Sequence, residues 1–342
     1  MKHQRTPMLE PLSYAMIPAL NGVTRNLLLR AGATEEEHRL LGIPTHIYRL
    51  DGAPGSNPEL PIVLIHGIAD SALTWALTLR GLAKVGPVYA IDLPGFGLSG
   101  YPQGRRYASI GEHVGVVRAL IEQVVGRPAL LIGNSLGGWI AARLAIESPD
   151  DVRGIMLLDP GGAGLGGRPS WEPFIQTVAV PDLRAVRTVF RQMFGSAPLR
   201  LALYLGQRSF QSLFLRDSVT HFVAAATEDD FLSPADLAGI SVPSALVWGQ
   251  ADRFLPAGSF EFFRDSLPAP ALLSLPGCGH LPQRERPGQV VRFVKKFVAE
   301  RLTPIGGGVG AAGPRRNPFL FFWRGKAPPS LPAEGVTTRD SK

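Results

Sequence analysis

The chain runs to 342 residues, 45% of them hydrophobic and 18% charged, with a single cysteine and a formal net charge of +7. That length holds one large α/β domain with an insertion, or two modest domains, and the composition excludes a disordered chain, an internal disulfide framework and an apolar run of transmembrane length. The basic excess is largely local: from Thr303 onward six Lys or Arg (Arg315, Arg316, Arg324, Lys326, Arg339, Lys342) stand against Glu334 and Asp340, so charge makes no case for nucleic acid as a partner of the body of the chain.

Residues 1–40 read as an N-terminal extension. Lys2 and Arg5 are followed by Glu10, Pro11 and Pro18, which break up the apolar core a secretion signal needs, and a cytoplasmic location is expected. Residues 14–20 and 23–29 have the spacing of short amphipathic helices, which either pack on the body or dock at a membrane periphery. Residues 45–50 alternate as a strand, and residues 51–59, with Gly, Pro, Ser and Asn, read as a hairpin loop. A buried strand at 61–65 runs into His66-Gly67. A helix at 74–82 follows, then a second buried strand at 85–92, which runs into Leu93-Pro-Gly-Phe-Gly-Leu-Ser-Gly100.

After a helix at 110–125 comes the most informative stretch, PALLIGNSLGG at 128–138. Ala129-Leu130-Leu131-Ile132 is a buried strand, the chain turns through Gly133-Asn134-Ser135-Leu136-Gly137, and residues 139–146 have the apolar spacing and alanine content of a packed helix. Strand, Gly-x-Ser-x-Gly, helix is the context of a nucleophile elbow: the tight turn thrusts the serine Oγ out of the sheet, and the new helix aims its first N–H groups at the apex. The flanking glycines carry no Cβ, so backbone can approach backbone. Residues 152–159 form the next strand. Residues 163–238 then break the rhythm, helical in pattern and rich in aromatics (Trp171, Phe174, Phe190, Phe194, Tyr204, Phe210, Phe214, Phe222), and read as an inserted cap.

Sheet building resumes at 244–248 and 271–275, and a helix at 289–302 closes the body. The expected fold is therefore α/β, a mainly parallel central sheet flanked by helices, built from residues 41–162 and 239–302 with a helical cap inserted at 163–238. Residues 303–342 form a Pro/Gly-rich basic tail. Its apolar run Phe319-Leu320-Phe321-Phe322-Trp323 either folds back on the body or inserts at a membrane interface beside Arg324 and Lys326.

A serine hydroxyl is nearly inert at neutral pH and needs a histidine to take its proton and a carboxylate to hold that histidine. Function collects at the carboxyl ends of parallel strands, and two loops there fit in the required order. Asp252 follows the strand at 244–248 in Gly249-Gln-Ala-Asp252, and His280 follows the strand at 271–275 in Pro276-Gly-Cys-Gly-His280. Asp159, ending the strand before the cap, is the reserve acid. Asp92 reads as a loop-structuring carboxylate, His66 as ordering its own loop, and Asp70 and Trp75 as shaping either the pocket floor or a turn. Cys278 reads as a small buried side chain.

On His66-Gly67, the 92–99 loop, Gly133-Asn-Ser-Leu-Gly137, Gly249-Gln-Ala-Asp252 and Gly279-His280, the chain from about residue 45 to 302 resembles the α/β-hydrolase fold superfamily, and most of all its capped bacterial esterase and lipase-like members, monoacylglycerol-lipase-type enzymes among them. The resemblance implies Ser135 as nucleophile, Asp252 as orienting acid and His280 as general base. It also implies an oxyanion hole of two backbone N–H groups, those of Ile68 and Leu136.

A serine at the elbow favours acyl transfer to water through an acyl-enzyme. The apolar, aromatic cap suits a small-molecule acyl ester, while Arg184, Arg187, Arg191, Arg200 and Arg208 read as a solvated face rather than an anion site. Three rivals share the triad: a hydrolase of carbon–carbon bonds in dienoate ring-cleavage products, a cofactor-free perhydrolase, and a non-enzymatic ligand sensor. No metal or cofactor is expected. Gly162-Ala-Gly164-Leu-Gly-Gly167 and Gly308-Val-Gly310-Ala-Ala-Gly313 match a dinucleotide pattern, but Pro169 and Pro173 disrupt the helix after the first, and the second lacks a strand before it and meets Pro314. The oligomeric state is open.

Overall fold

A computed structural model describes residues 9–196, 200 and 204–302; the basic tail and its aromatic run lie outside the described residues. A sheet of eight strands crosses the molecule. From one edge inward, β1 (Thr34–Leu40) pairs with β2 (Ile43–Leu50), and β2 with β4 (Val88–Ile91), both antiparallel. From β4 onward every pairing is parallel: β3 (Ile62–Ile65), β5 (Ala129–Asn134), β6 (Val152–Leu158), β7 (Ser244–Gly249) and β8 (Ala271–Leu275) follow in that order.

The uninterrupted apolar runs of β3 and β5 are fully buried because helices cover both faces of the sheet. Side chains alternate faces. Val63, Ile65, Leu131 and Leu157 enter one core; Ile62, Leu64, Leu130, Ile132 and Met156 enter the other.

The helices between the strands are α2 (Ala76–Leu82), α3 (Ile110–Leu120) and α4 (Leu136–Glu147) before the insertion and α10 (Ser259–Ser266) after it; α11 (Pro282–Glu285) and α12 (Pro287–Arg301) follow the last strand. α3 starts where it does because Ser109 accepts from the Glu112 amide while the Glu112 carboxylate accepts from the Ser109 amide, a reciprocal cap that satisfies two otherwise orphaned N–H groups. The inserted region carries α5 (Arg168–Val178), α6 (Leu183–Met193), α7 (Gln207–Phe214), α8 (Asp217–Ala225) and the short α9 (Pro234–Ala238).

The N-terminal third departs from the sequence expectation in three ways. Residues 9–30 form one 22-residue helix, α1 (Leu9–Arg30), with Pro18 inside it, rather than two short helices. The sheet begins at Thr34, within the stretch read as an extension ending at residue 40: the β1 run TEEEHRL is nearly all polar because an edge strand exposes much of its surface, and that hides it from a search for apolar runs. The 51–59 loop is a crossover rather than a hairpin, since β2 pairs with β4 and not with β3.

Candidate active site

Ser135 occupies the turn between β5 and α4 with φ 55° and ψ −117°. A non-glycine residue held there is strained, and such strain persists only where the surroundings over-determine it. They do so here. A Cβ on Gly133 would stand 2.1 Å from the Gly137 carbonyl oxygen, and one on Gly137 would stand 2.1 Å from that of Ile65. The pattern therefore needs glycine at both positions, and the Ser135 side chain has the cavity as its outlet.

His280 is brought to the same cavity by the loop after β8. Its Nδ1 lies 2.8 Å from Oδ2 of Asp252, both side chains being almost wholly buried. The other Asp252 oxygen accepts the Phe254 amide at 2.7 Å. Asp252 is thus fixed by the loop after β7 and, once it accepts from Nδ1–H, leaves Nε2 as the imidazole's proton acceptor. Asp159, the reserve acid, has φ 40° and is fully buried; Oδ1 accepts the Gly249 amide at 3.0 Å, and Oδ2 has no hydrogen-bond partner. Ligand atoms of Asp159, Asp252 and His280 lie within 4.8 Å of one another. Burial, followed by the neighbouring Asp252 charge, holds the Asp159 carboxyl well above the usual carboxylate range. Of the two acids, Asp252 carries the contact to histidine. The trio is also a carboxylate–imidazole cluster with metal-ligand spacing, but His280 Nδ1 is already committed to Asp252.

The loop after β3 closes over the serine. A Cβ on Gly67 would come 3.1 Å from the Ser135 Cβ, so Ile68 follows directly where backbone meets backbone, and Ile68 lines the cavity. Leu136 opens α4, and its amide is one of the N–H groups a helix N-terminus leaves without an internal acceptor. His66 is neutral and structural: Nδ1 is 2.7 Å from the Gly67 oxygen, Nε2 accepts the Leu93 amide at 3.0 Å, and burial lowers its pKa. Asp92 organises the neighbouring loop by accepting from the amides of Ala72 and Leu98 and contacting Nδ1 of His46.

The cavity measures about 350 Å³. The inserted region gives it Met193, Phe194, Phe210, Leu213 and Phe214; the core adds Leu73, Phe254 and Leu281. An apolar chamber with a few convergent polar groups is the usual form of a small-molecule site.

A sequence model of the alpha/beta hydrolase family matches residues 62–293, well over half of the chain. The protein belongs to the α/β hydrolases. It is 29% identical over 261 residues to the 2-hydroxymuconate semialdehyde hydrolase of Pseudomonas sp. (strain CF600), covering 72% of this chain and 89% of that one. It is 26% identical over 263 residues to the pimeloyl-[acyl-carrier protein] methyl ester esterase of Aeromonas salmonicida, covering 71% and 96%. Among solved structures it is similar in fold to a bacterial membrane phospholipase A, with a TM-score of 0.68 and 24% identity over 85% of this chain and 93% of that one. Among the described residues no helix is long and apolar enough to cross a membrane.

Several residues that shape this hydrolase site escaped the sequence reading. Asn134 donates from Nδ2 to the carbonyls of Leu158 and His280, both at 3.0 Å, and its Oδ1 accepts from Gln283. Arg284 donates to Thr74 and Asp70, tying the loop after β3 to the loop carrying His280. The Glu285 carboxylate accepts the amides of Gly279, Gly195 and Ser196, while the His280 amide donates to the Met193 carbonyl at 2.6 Å. The one available signal was Asn134, a polar residue in an otherwise apolar strand. Trp75, weighed for the pocket floor, is fully buried in the core below the opposite sheet face and does not line the cavity; Asp70 does. Cys278 is buried, and burial raises its thiol pKa, which leaves it a packing residue.

Proposed function

We propose that this α/β hydrolase is a serine carboxylic ester hydrolase acting on an apolar acyl ester through an acyl-enzyme. The observation that carries the reading is one cavity lined by both a strained Ser135 and a His280 anchored at Nδ1 by Asp252. Ser135 Oγ attacks the ester carbonyl carbon as His280 Nε2 takes the hydroxyl proton. The Ile68 and Leu136 amides receive the oxyanion, at about 3 kcal/mol of transition-state stabilisation per donor. The alkoxide leaves with the proton from His280. Water, deprotonated by the same nitrogen, then attacks the acyl-enzyme, releasing the acid and restoring Ser135. Asp252 holds the ring and offsets the imidazolium charge. The apolar lining from α6 and α7 takes the acyl chain.

Hydrolysis of p-nitrophenyl esters of graded chain length tests this. Release of p-nitrophenol by the wild type, lost by several orders of magnitude in Ser135→Ala and His280→Ala with circular dichroism unchanged, is the expected result. Near-full activity in either variant removes the mechanism. The similarity to a 2-hydroxymuconate semialdehyde hydrolase supports a second reading, cleavage of a carbon–carbon bond in a dienoate ring-cleavage product. Rapid bleaching of such a dienoate with feeble ester turnover selects it.

A further inference from the structure

α1 is unusual in what it shows to water. From residue 11 to residue 24 it carries no charged side chain, yet from Ser13 onward only Ser13 and Leu28 are buried. Tyr14, Leu20, Val23 and Leu27 are each more than half exposed. Leu20, Val23 and Leu27 follow one another at helical spacing and form a stripe on one side. A helix apolar on most sides is ordinarily covered, by a protein core or by lipid, and this one is covered on only one.

The stripe reaches the catalytic cavity. Pro18 and Leu20 line it, together with Leu98, itself 62% exposed. The basic charge lies two helices away, on α6. α1 packs on α7, where the Ser209 hydroxyl reaches the Ser13 and Tyr14 carbonyls, and α7 packs on α6. α6 buries Val186, Val189, Phe190 and Met193, and carries Arg184, Arg187 and Arg191 at helical spacing away from that buried set. Residues 181–216 hold six arginines against a single acid, Asp182, and Arg216 lines the cavity.

An exposed apolar helix, an arginine-bearing helix packed on its neighbour and an acyl-sized cavity match one surface in particular. We propose that the exposed face of α1 and the arginine stripe of α6 dock on an anionic lipid surface, with the cavity mouth set against the lipid. Apolar side chains enter the acyl boundary while arginines meet the headgroup charge. A second copy of the chain fits less well, because two such faces bring like charges together. The docking stands independently of the esterase reading; that the same surface supplies the acyl ester rests on it.

The test is co-sedimentation of the full chain with extruded phosphatidylcholine vesicles, with and without phosphatidylglycerol. Hydrolysis of a soluble p-nitrophenyl ester serves as the control for folding and activity. Binding is expected with phosphatidylglycerol, about tenfold weaker without it or in high salt. Val23→Glu/Leu27→Glu should lose about tenfold or more in binding, with soluble hydrolysis unchanged. Arg184→Gln/Arg191→Gln should lose the preference for the anionic lipid, and decides the matter if the first variant fails to fold. Absence of vesicle binding at low salt overturns the proposal. So does undiminished binding by both variants, or a wild-type dimer that Val23→Glu/Leu27→Glu dissociates while vesicle binding is unchanged. Vesicle binding without ester turnover leaves the docking in place and removes only the enzymatic reading.

Discussion

Two carboxyl groups sit within reach of one imidazole, and they are not equivalent. Asp252 accepts from His280 and from a backbone amide; Asp159 is walled in, with one oxygen on the Gly249 amide and the other unpaired. Like charges this close cannot both ionise cheaply, and burial followed by the Asp252 charge holds the Asp159 carboxyl well above the usual carboxylate range. Asp252→Asn is therefore expected to lower kcat by about 10³–10⁴-fold, by giving His280 the wrong tautomer. Asp159→Asn, which copies a neutral carboxyl in shape, should cost less than about tenfold. Steady-state kinetics on one chromogenic ester compares the two, and the reverse order moves the acid to Asp159. His113 offers a stability test. It is fully buried between Phe96 and Phe222 with neither ring nitrogen bonded, and burial pushes its pKa down to about 3. The unfolded chain takes up the proton near 6.5 while the folded one resists it until about 3, so stability is complete above that range and falls as the pH drops through it. Urea unfolding at pH 7 and pH 5 should show this loss in the wild type and a smaller one in His113→Phe.

Among the elements, the elbow and the His280 loop are held by opposite means. The elbow depends on missing atoms: Gly137→Ala would drive a methyl to 2.1 Å from the Ile65 carbonyl oxygen, and loss of both soluble yield and ester turnover is expected. The His280 loop depends on added bonds. Glu285 accepts amides from that loop and from Gly195 and Ser196 just after α6, so it clasps the inserted region to the loop that carries His280. Glu285→Gln turns an amide donor toward these N–H groups. It should cost about 1–3 kcal/mol in urea unfolding and lower kcat/KM. A variant with unchanged stability and turnover would mean that the clasp contributes nothing.

At the scale of the whole molecule, the family match ends at residue 293 and α12 ends at Arg301. Truncation after Leu302 is expected to leave hydrolysis of soluble esters intact, measured as kcat/KM against the full chain. A large loss would place the tail in the catalytic body. Most of the body was legible in one dimension, because strands buried on both faces must be apolar throughout and the elbow must carry glycine where backbone touches backbone. β1 and the true partner of β2 were not legible: the first is a polar edge strand, and the second is a pairing between residues 38 or more positions apart that no local pattern records.

The same division runs through the site. Residue types and their order along the chain were enough to mark Ser135, Asp252 and His280 as candidates and to indicate an α/β fold with a mainly parallel sheet, since steric demands at turns and burial on both faces of a sheet are written locally. Which carboxylate touches the imidazole, that Trp75 faces away from the cavity, that Asn134, Arg284 and Glu285 brace the loops, and that a largely apolar helix lies open beside the mouth were decided only when distant segments met. A hydrogen bond depends on direction and on distances of a few ångströms, and neither is a property of sequence spacing.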